Sequence, residues 1–175
     1  MWIVRLALRR PYTFVVAALL LLLLTPFVLI NGNAAAMKLV GNLIVALELE
    51  ALAEGLVLAQ KAGLGLKTVM EVVKVADFRS PLLVSNGQNI LKRDFSPSFA
   101  LKLMLKDADL IEKFGNSLQS PIPALQVVEK NLASAVAIGF GNENAPALIK
   151  ALEKSAGVEV KARRASRSTK TEQSD

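Results

Sequence analysis

From Thr13 to Ile30 the chain runs eighteen residues without a charge, six of them consecutive leucines, and beyond Gly32 its apolar positions keep a helical rhythm to about residue 157. At about 1.5 Å per residue the first stretch is long enough to cross a bilayer. Arg5, Arg9 and Arg10 precede it and no basic residue follows for several positions, which favours an inside amino terminus. A cleaved secretory signal is the competing reading, with Ala34, Ala35 and Ala36 near a point of cleavage, although the apolar run exceeds the usual roughly 7–15 residues. A buried core helix is the third, and the leucines leave it no polar face. Residues 1–30 are therefore expected to form a hydrophobic, membrane-anchor-like segment.

The rest reads as helices. Ala34 to Ala62 has no proline and ends at Gly63 and Gly65, the punctuation of a helix carboxyl end. Leu39, Val40, Leu43, Ile44, Leu47, Leu52, Leu56 and Val57 wrap most of its circumference, which predicts burial on several sides. Leu66 to Ala76 predicts a shorter helix. Ser80-Pro81 and Ser96-Pro97 each match an N-cap followed by the first helical position, and start helices toward Leu91 and Phe114. Pro121 and Pro123 introduce Ala124 to Ile138, stopped by Gly139 and Gly141, and Pro146 opens a last helix to about Ala156. No stretch alternates at period two, so no sheet is expected. The predicted fold is all-α: a multi-helix domain over 32–157 built around one long central helix, preceded by a transmembrane-like helix, with no Rossmann domain. Residues 158–175 are poor in apolar positions and are expected to be a disordered basic tail.

Composition changes this picture mainly by exclusion. The 175 residues carry a net charge of +6, yet three basic residues lie before Pro11 and five after Val160, leaving thirteen basic against thirteen acidic residues between them. The excess is thus confined to the two ends. The tail offers no aromatic residue for base stacking, so no nucleic-acid partner is expected. With no cysteine and no histidine there is no thiolate nucleophile, no Ser-His-Asp triad, no imidazole or thiolate metal site, and no metal is expected. Proton transfer falls to Lys, Asp, Glu or Tyr12.

Two clusters remain as candidate chemistry. Lys38 and Asn42 are four apart and share one face of the long helix. A lysine desolvated there would be eased toward its neutral, proton-accepting form, whereas one near a helix end would simply snorkel to water. In FALKLMLKDADLIEKFG, Phe99 and Lys106 are seven apart on one face, with Asp107 turned about 100° away. On spacing alone this is an amphipathic helix with solvated charges.

The runs GNAAAMKLVGN (32–42), AEGLVLAQKAGL (53–64), DFSPSFALKLMLKDADL (94–110) and PIP (121–123) together resemble the carboxyl-terminal helical domain of the β-hydroxyacid dehydrogenases. That family includes 3-hydroxyisobutyrate dehydrogenase, glyoxylate reductases and, more distantly, 6-phosphogluconate dehydrogenase. The resemblance implies that Lys38 is the catalytic lysine, assisting proton transfer at the substrate oxygen, and that Asn42 binds substrate. It also implies that Lys106, Phe99 and Asp107 contact the cofactor, NAD or NADP. The substrate is then a small hydroxy acid or aldehyde acid, and the domain a homo-oligomer contact. Gly41 departs from the family's usual asparagine, and Asn144 stands where an aspartate is common.

WIVRLALRRPYTFVV, by contrast, resembles the start of an inner-membrane pump of the resistance-nodulation-division efflux family, a likeness confined to the first thirty residues. The Gly-x-Gly-x-x-Gly turn that seats a pyrophosphate on a helix amino terminus is absent: Thr68 follows Gly63 and Gly65, and Asn144 follows Gly139 and Gly141. The expected function is therefore the substrate- and cofactor-contacting half of an NAD(P)-dependent oxidoreductase, inactive alone. The alternative is a dimerisation module, or a truncated or chimeric product with a membrane anchor. Location is at the membrane if residues 13–30 insert and cytoplasmic otherwise.

Overall fold

A computed structural model describes the backbone of residues 11–162 and the side chains of residues 32–162. The chain divides into two compact units, Met1–Gly41 and Asn42–Asp175. Six α-helices are described: α1 Pro11–Lys61, α2 Leu66–Val75, α3 Pro81–Lys92, α4 Leu101–Ser117, α5 Pro123–Ala135 and α6 Ile149–Ala156. A π-helical turn, Val136–Phe140, and a 3₁₀ turn, Ala145–Leu148, lie between α5 and α6. Among the described residues there is no strand, only one isolated bridge between Ala100 and Asn144.

The long helix starts well before Ala34. Asn31, Gly32 and Asn33 lie inside α1, because carrying an established helix through three weak formers costs only about 2 kcal/mol. Among the described residues no helix is long and apolar enough to cross a membrane, so the transmembrane-like helix gains no support; residues 13–30, on which that expectation rests, lie outside those whose side chains are described.

In the second unit, α1 supplies the centre of the core through Ala46, Leu49, Leu52, Ala53, Leu56 and Ala59, the three- and four-residue spacing of one helical stripe. Burial all round does not follow: Val40 and Ile44 are 48% and 54% exposed. The helix ends as expected. Gly63 takes φ +74°, its N–H donates to the Gln60 carbonyl, and the Leu64 N–H reaches back to the Ala59 carbonyl at 3.0 Å, a Schellman arrangement that favours glycine. α2 packs on α3, where Gly87 leaves the room filled by the buried Met70 thioether. α4 packs on α5, α5 on α6, and the 3₁₀ turn touches all three.

Ser80 caps α3 as predicted: its Oγ accepts the Leu83 N–H at 3.1 Å and donates to Glu48 Oε2 at 2.6 Å. Ser96-Pro97 does not start a helix. The Asp94 carboxylate takes both the Ser96 N–H and its hydroxyl, closing a local turn, and α4 begins only at Leu101. Phe99 therefore precedes the helix and does not share a helical face with Lys106. Pro123 and Pro146 do open a helix and the 3₁₀ turn.

Residues 158–162, expected as part of a loose tail, are held. Val160 is fully buried and donates its N–H to Glu153 Oε1 at 2.7 Å, while the Ala162 N–H donates to the Leu91 carbonyl. Residues 163–175 lie outside the described residues.

Candidate functional site

Lys38 belongs to the first unit and is exposed, so the desolvated lysine considered from sequence is not what the structure holds. The remaining candidates lie in the second unit. Asn42, on α1, donates from Nδ2 to Asp107 Oδ2 on α4 at 2.6 Å, and both side chains are half-buried. Lys106 is exposed beside them. Leu103 and Leu110 sit three to four residues either side of Lys106 and Asp107, on the same face of α4, and both are exposed. Lys102 and Lys106 are four apart and, among the described residues, neither makes an ion pair. Two like charges so spaced in the first half of a helix repel one another and oppose its dipole. An anion held there would relieve both.

Phe99 is positioned by a residue that sequence reasoning marked only as a departure. Asn144 Oδ1 accepts from the Ser98 hydroxyl at 3.0 Å, the Phe99 N–H at 3.1 Å and the Ala145 N–H at 3.1 Å. The backbone adds two more ties between loop 94–100 and turn 141–145, Asn144 N–H to the Phe95 carbonyl and Ala145 N–H to that of Phe99, and two from the start of α4 to the same turn, Leu101 N–H to Glu143 and Lys102 N–H to Gly141. The sequence signal was present, an asparagine at the N-cap place just before Ala145-Pro146.

Glu50, on α1, is buried and faces Asn131 on α5. Asn131 donates to its Oε1, while Oε2 finds no partner among the described residues. Burial pushes its pKa up from 4.5 to about 7 despite the Asn131 hydrogen bond, with Glu54 adding to the rise. Among the described residues no three acidic side chains converge to hold a metal.

This helical arrangement recurs in known proteins. The sequence model of the family described as NAD-binding of NADP-dependent 3-hydroxyisobutyrate dehydrogenase matches residues 32–152. The chain belongs to that family. It is 36% identical over 117 residues to the cytokine-like nuclear factor N-PAC of Aedes aegypti, covering 67% of this chain and 21% of the relative. It is 31% identical over 122 residues to glyoxylate/succinic semialdehyde reductase 1 of Arabidopsis thaliana, covering 70% and 42%. In structure it resembles a 3-hydroxyisobutyrate dehydrogenase of Salmonella typhimurium, with TM-score 0.63 and 28% identity over 66% of this chain and 40% of that one. The chain thus spans less than half the length of these relatives. The family match begins after residue 31, and the efflux-pump resemblance of residues 1–30 is unsupported.

Proposed function

We propose that this chain is the helical, substrate- and cofactor-contacting half of an NAD(P)-dependent hydroxy-acid dehydrogenase of the 3-hydroxyisobutyrate type, and that it turns over only beside a dinucleotide-binding domain. The observation that carries the reading is the hydrogen bond from Asn42 to Asp107, which joins two of the family-derived positions across 65 residues of sequence. It lies on a face whose apolar flanks, Leu103 and Leu110, are uncovered. Such a face suits closure by a second domain or a ligand.

The residues fit the contacting end of a nicotinamide dinucleotide: the unneutralised Lys102 and Lys106 suit its phosphates, and Phe99 offers a flat apolar surface. They do not offer a pyrophosphate cradle, since no βαβ unit lies among the described residues. When bound, the cofactor supplies the hydride chemistry. The chain's part is to hold and to move a proton. Asn42 retains its Oδ1 and one N–H for a hydroxy acid or aldehyde acid, because only one amide hydrogen is spent on Asp107. The Lys38 ammonium gives a proton to the substrate oxygen during reduction and its amine takes one during oxidation. Of the two locations the sequence offers, the need for a nicotinamide cofactor supports the cytoplasmic one.

The test is an assay of the purified chain with NADH or NADPH and a panel of small aldehyde acids and 2-oxo acids, alone and with a separately supplied dinucleotide-binding domain of the family. No turnover alone, and turnover with the domain that Lys38→Ala abolishes, is the expected result. Turnover by the chain alone, or no cofactor binding even with the domain, overturns it.

An apolar trough lined by Ala51, Gly55, Val69, Val73, Phe78 and Leu83 favours a second role, self-association. Phe78 is 64% exposed beside a Gly55 whose Cβ position is open, a knob and a hole on one surface, as a twofold contact requires. Light scattering of the chain and of Phe78→Glu decides it: a dimer that the variant converts to monomer supports the contact, and a clean monomer of the unaltered chain overturns it.

A further inference from the structure

Lys150, on α6, is one of the less expected cations of the fold. Its side chain is only 15% exposed although it stands in the first turn of α6, the end of a helix at which the dipole disfavours a cation. Its Nζ lies 4.4 Å from the centroid of the Phe95 ring, 4.1 Å from that of Phe140, and 2.5 Å from Glu143 Oε2. An ammonium so far removed from water is retained only where other groups replace its hydration, and here two ring faces and a carboxylate do so. Each partner lies on a segment that ends at the candidate site. Phe95 stands at the start of loop 94–100. Phe140 closes the π-helical turn, and Glu143 belongs to the following turn, which receives the Leu101 N–H on its carbonyl at 2.8 Å. Arg93 also faces the Phe95 ring, 5.0 Å from its centroid, so that ring is gripped by two cations.

We propose that Lys150 is a positioning residue: through Phe95, Phe140 and Glu143 it clamps loop 94–100 against turn 140–145 and so fixes Phe99 at the mouth of the site. The assignment of Phe99 to that site rests on the function proposed above, but the clamp itself is a property of this chain. The core of α5 makes none of these contacts. Leu125, Val128 and Leu132 of α5 are fully buried among other apolar side chains. What Lys150 holds is the junction of loop 94–100 with turn 140–145, where the buried Phe95, Leu101 and Ala145 adjoin the exposed residues 96–99, a connection that can open apart from α5.

The experiment is amide hydrogen exchange on the unaltered chain, Lys150→Met and Lys150→Arg. Met keeps most of the stem and removes the cation, while Arg restores a cation that stacks on rings and pairs with a carboxylate. The Met variant is expected to exchange about tenfold faster at the Phe99, Leu101 and Ala145 amides, with Val128 and Leu132 unchanged, and Arg is expected to restore protection. Equal acceleration at all five amides would reduce Lys150 to an ordinary stability contact and overturn the proposal, as would no acceleration or no rescue by Arg. These readings need no cofactor, so they stand apart from any failure of the dehydrogenase reading. With the dinucleotide-binding domain supplied, the Met variant is expected to raise the cofactor KM severalfold and leave kcat within about twofold. An unchanged KM in a variant whose loop amides have loosened also overturns the positioning role.

Discussion

Asn42 and Asp107 are joined by a 2.6 Å hydrogen bond between the amide nitrogen of one and a carboxylate oxygen of the other, linking α1 to α4. The bond is charge-assisted and half-buried, which places its net worth at about 1.5–3 kcal/mol. Asp107→Ala is therefore expected to lower stability by about 2 kcal/mol, read as a lower urea midpoint with unchanged slope. Asp107→Asn retains an acceptor and should lose less than half of that. Equal losses in the two variants would show that the hydrogen bond contributes little.

Asn144 makes the sharper prediction because one oxygen serves three donors. Asn144→Ala takes the acceptor from the Phe99 amide, while the Ala145 amide keeps the Phe99 carbonyl, at an expected cost of about 1–3 kcal/mol. Asn144→Asp presents an oxygen in the same place and is expected to stay within about 1 kcal/mol of the parent. Thermal unfolding of both variants checks it. A large loss for Asp would mean that the amide nitrogen matters as well.

Glu50 sets a pH dependence whose sign is fixed by the direction of its shift. Its folded pKa is raised to about 7 from 4.5, so between those values the folded chain binds more protons than the unfolded one, and stability falls as pH rises. The penalty is absent below about pH 4.5, grows through the window and is complete above about pH 7, where it amounts to roughly 3 kcal/mol. Glu50→Gln keeps the hydrogen bond to Asn131 and cannot ionise. It should be more stable than the parent at pH 8, with the difference vanishing toward pH 5. A constant difference across that range would rule out Glu50 as its source.

Arg93 combines two opposed effects. It holds a left-handed backbone, φ 59°, which costs a residue with a Cβ about 1–2 kcal/mol, and its guanidinium is 2.5 Å from the buried carboxylate of Glu153. Arg93→Gly relieves the backbone but strands that carboxylate, at about 3–5 kcal/mol. The ion pair wins, and a net loss of about 2 kcal/mol is expected from a urea titration. A gain would mean that the Val160 amide alone suffices for Glu153.

Much of the secondary structure could be read from local chemistry. Gly63 after an apolar run, Ser80 before Pro81 and Pro123 after Pro121 act within a few residues of where they stand, and each marks an element boundary where it was expected. Asn42 and Asp107 could likewise be picked out, but only by their likeness to a family. Spacing alone made Asp107 an ordinary surface residue and paired Asn42 only with Lys38.

What local pattern could not supply was any choice between two partners for the same group. Ser96-Pro97 has the form of a helix start, but the Asp94 carboxylate takes the serine's N–H and hydroxyl, and Asn144 takes the Phe99 amide, so α4 waits until Leu101. Val160 falls within a segment poor in apolar residues, yet Glu153, held by Arg93 from 60 residues away, accepts its amide. The sequence by itself determined an all-helical domain of this family with its charge at the ends. Only the tertiary structure decided that Asn144 and Lys150 meet loop 94–100, because a hydrogen bond or ring contact across 45 or more residues depends on where packing brings the chain, not on its neighbours.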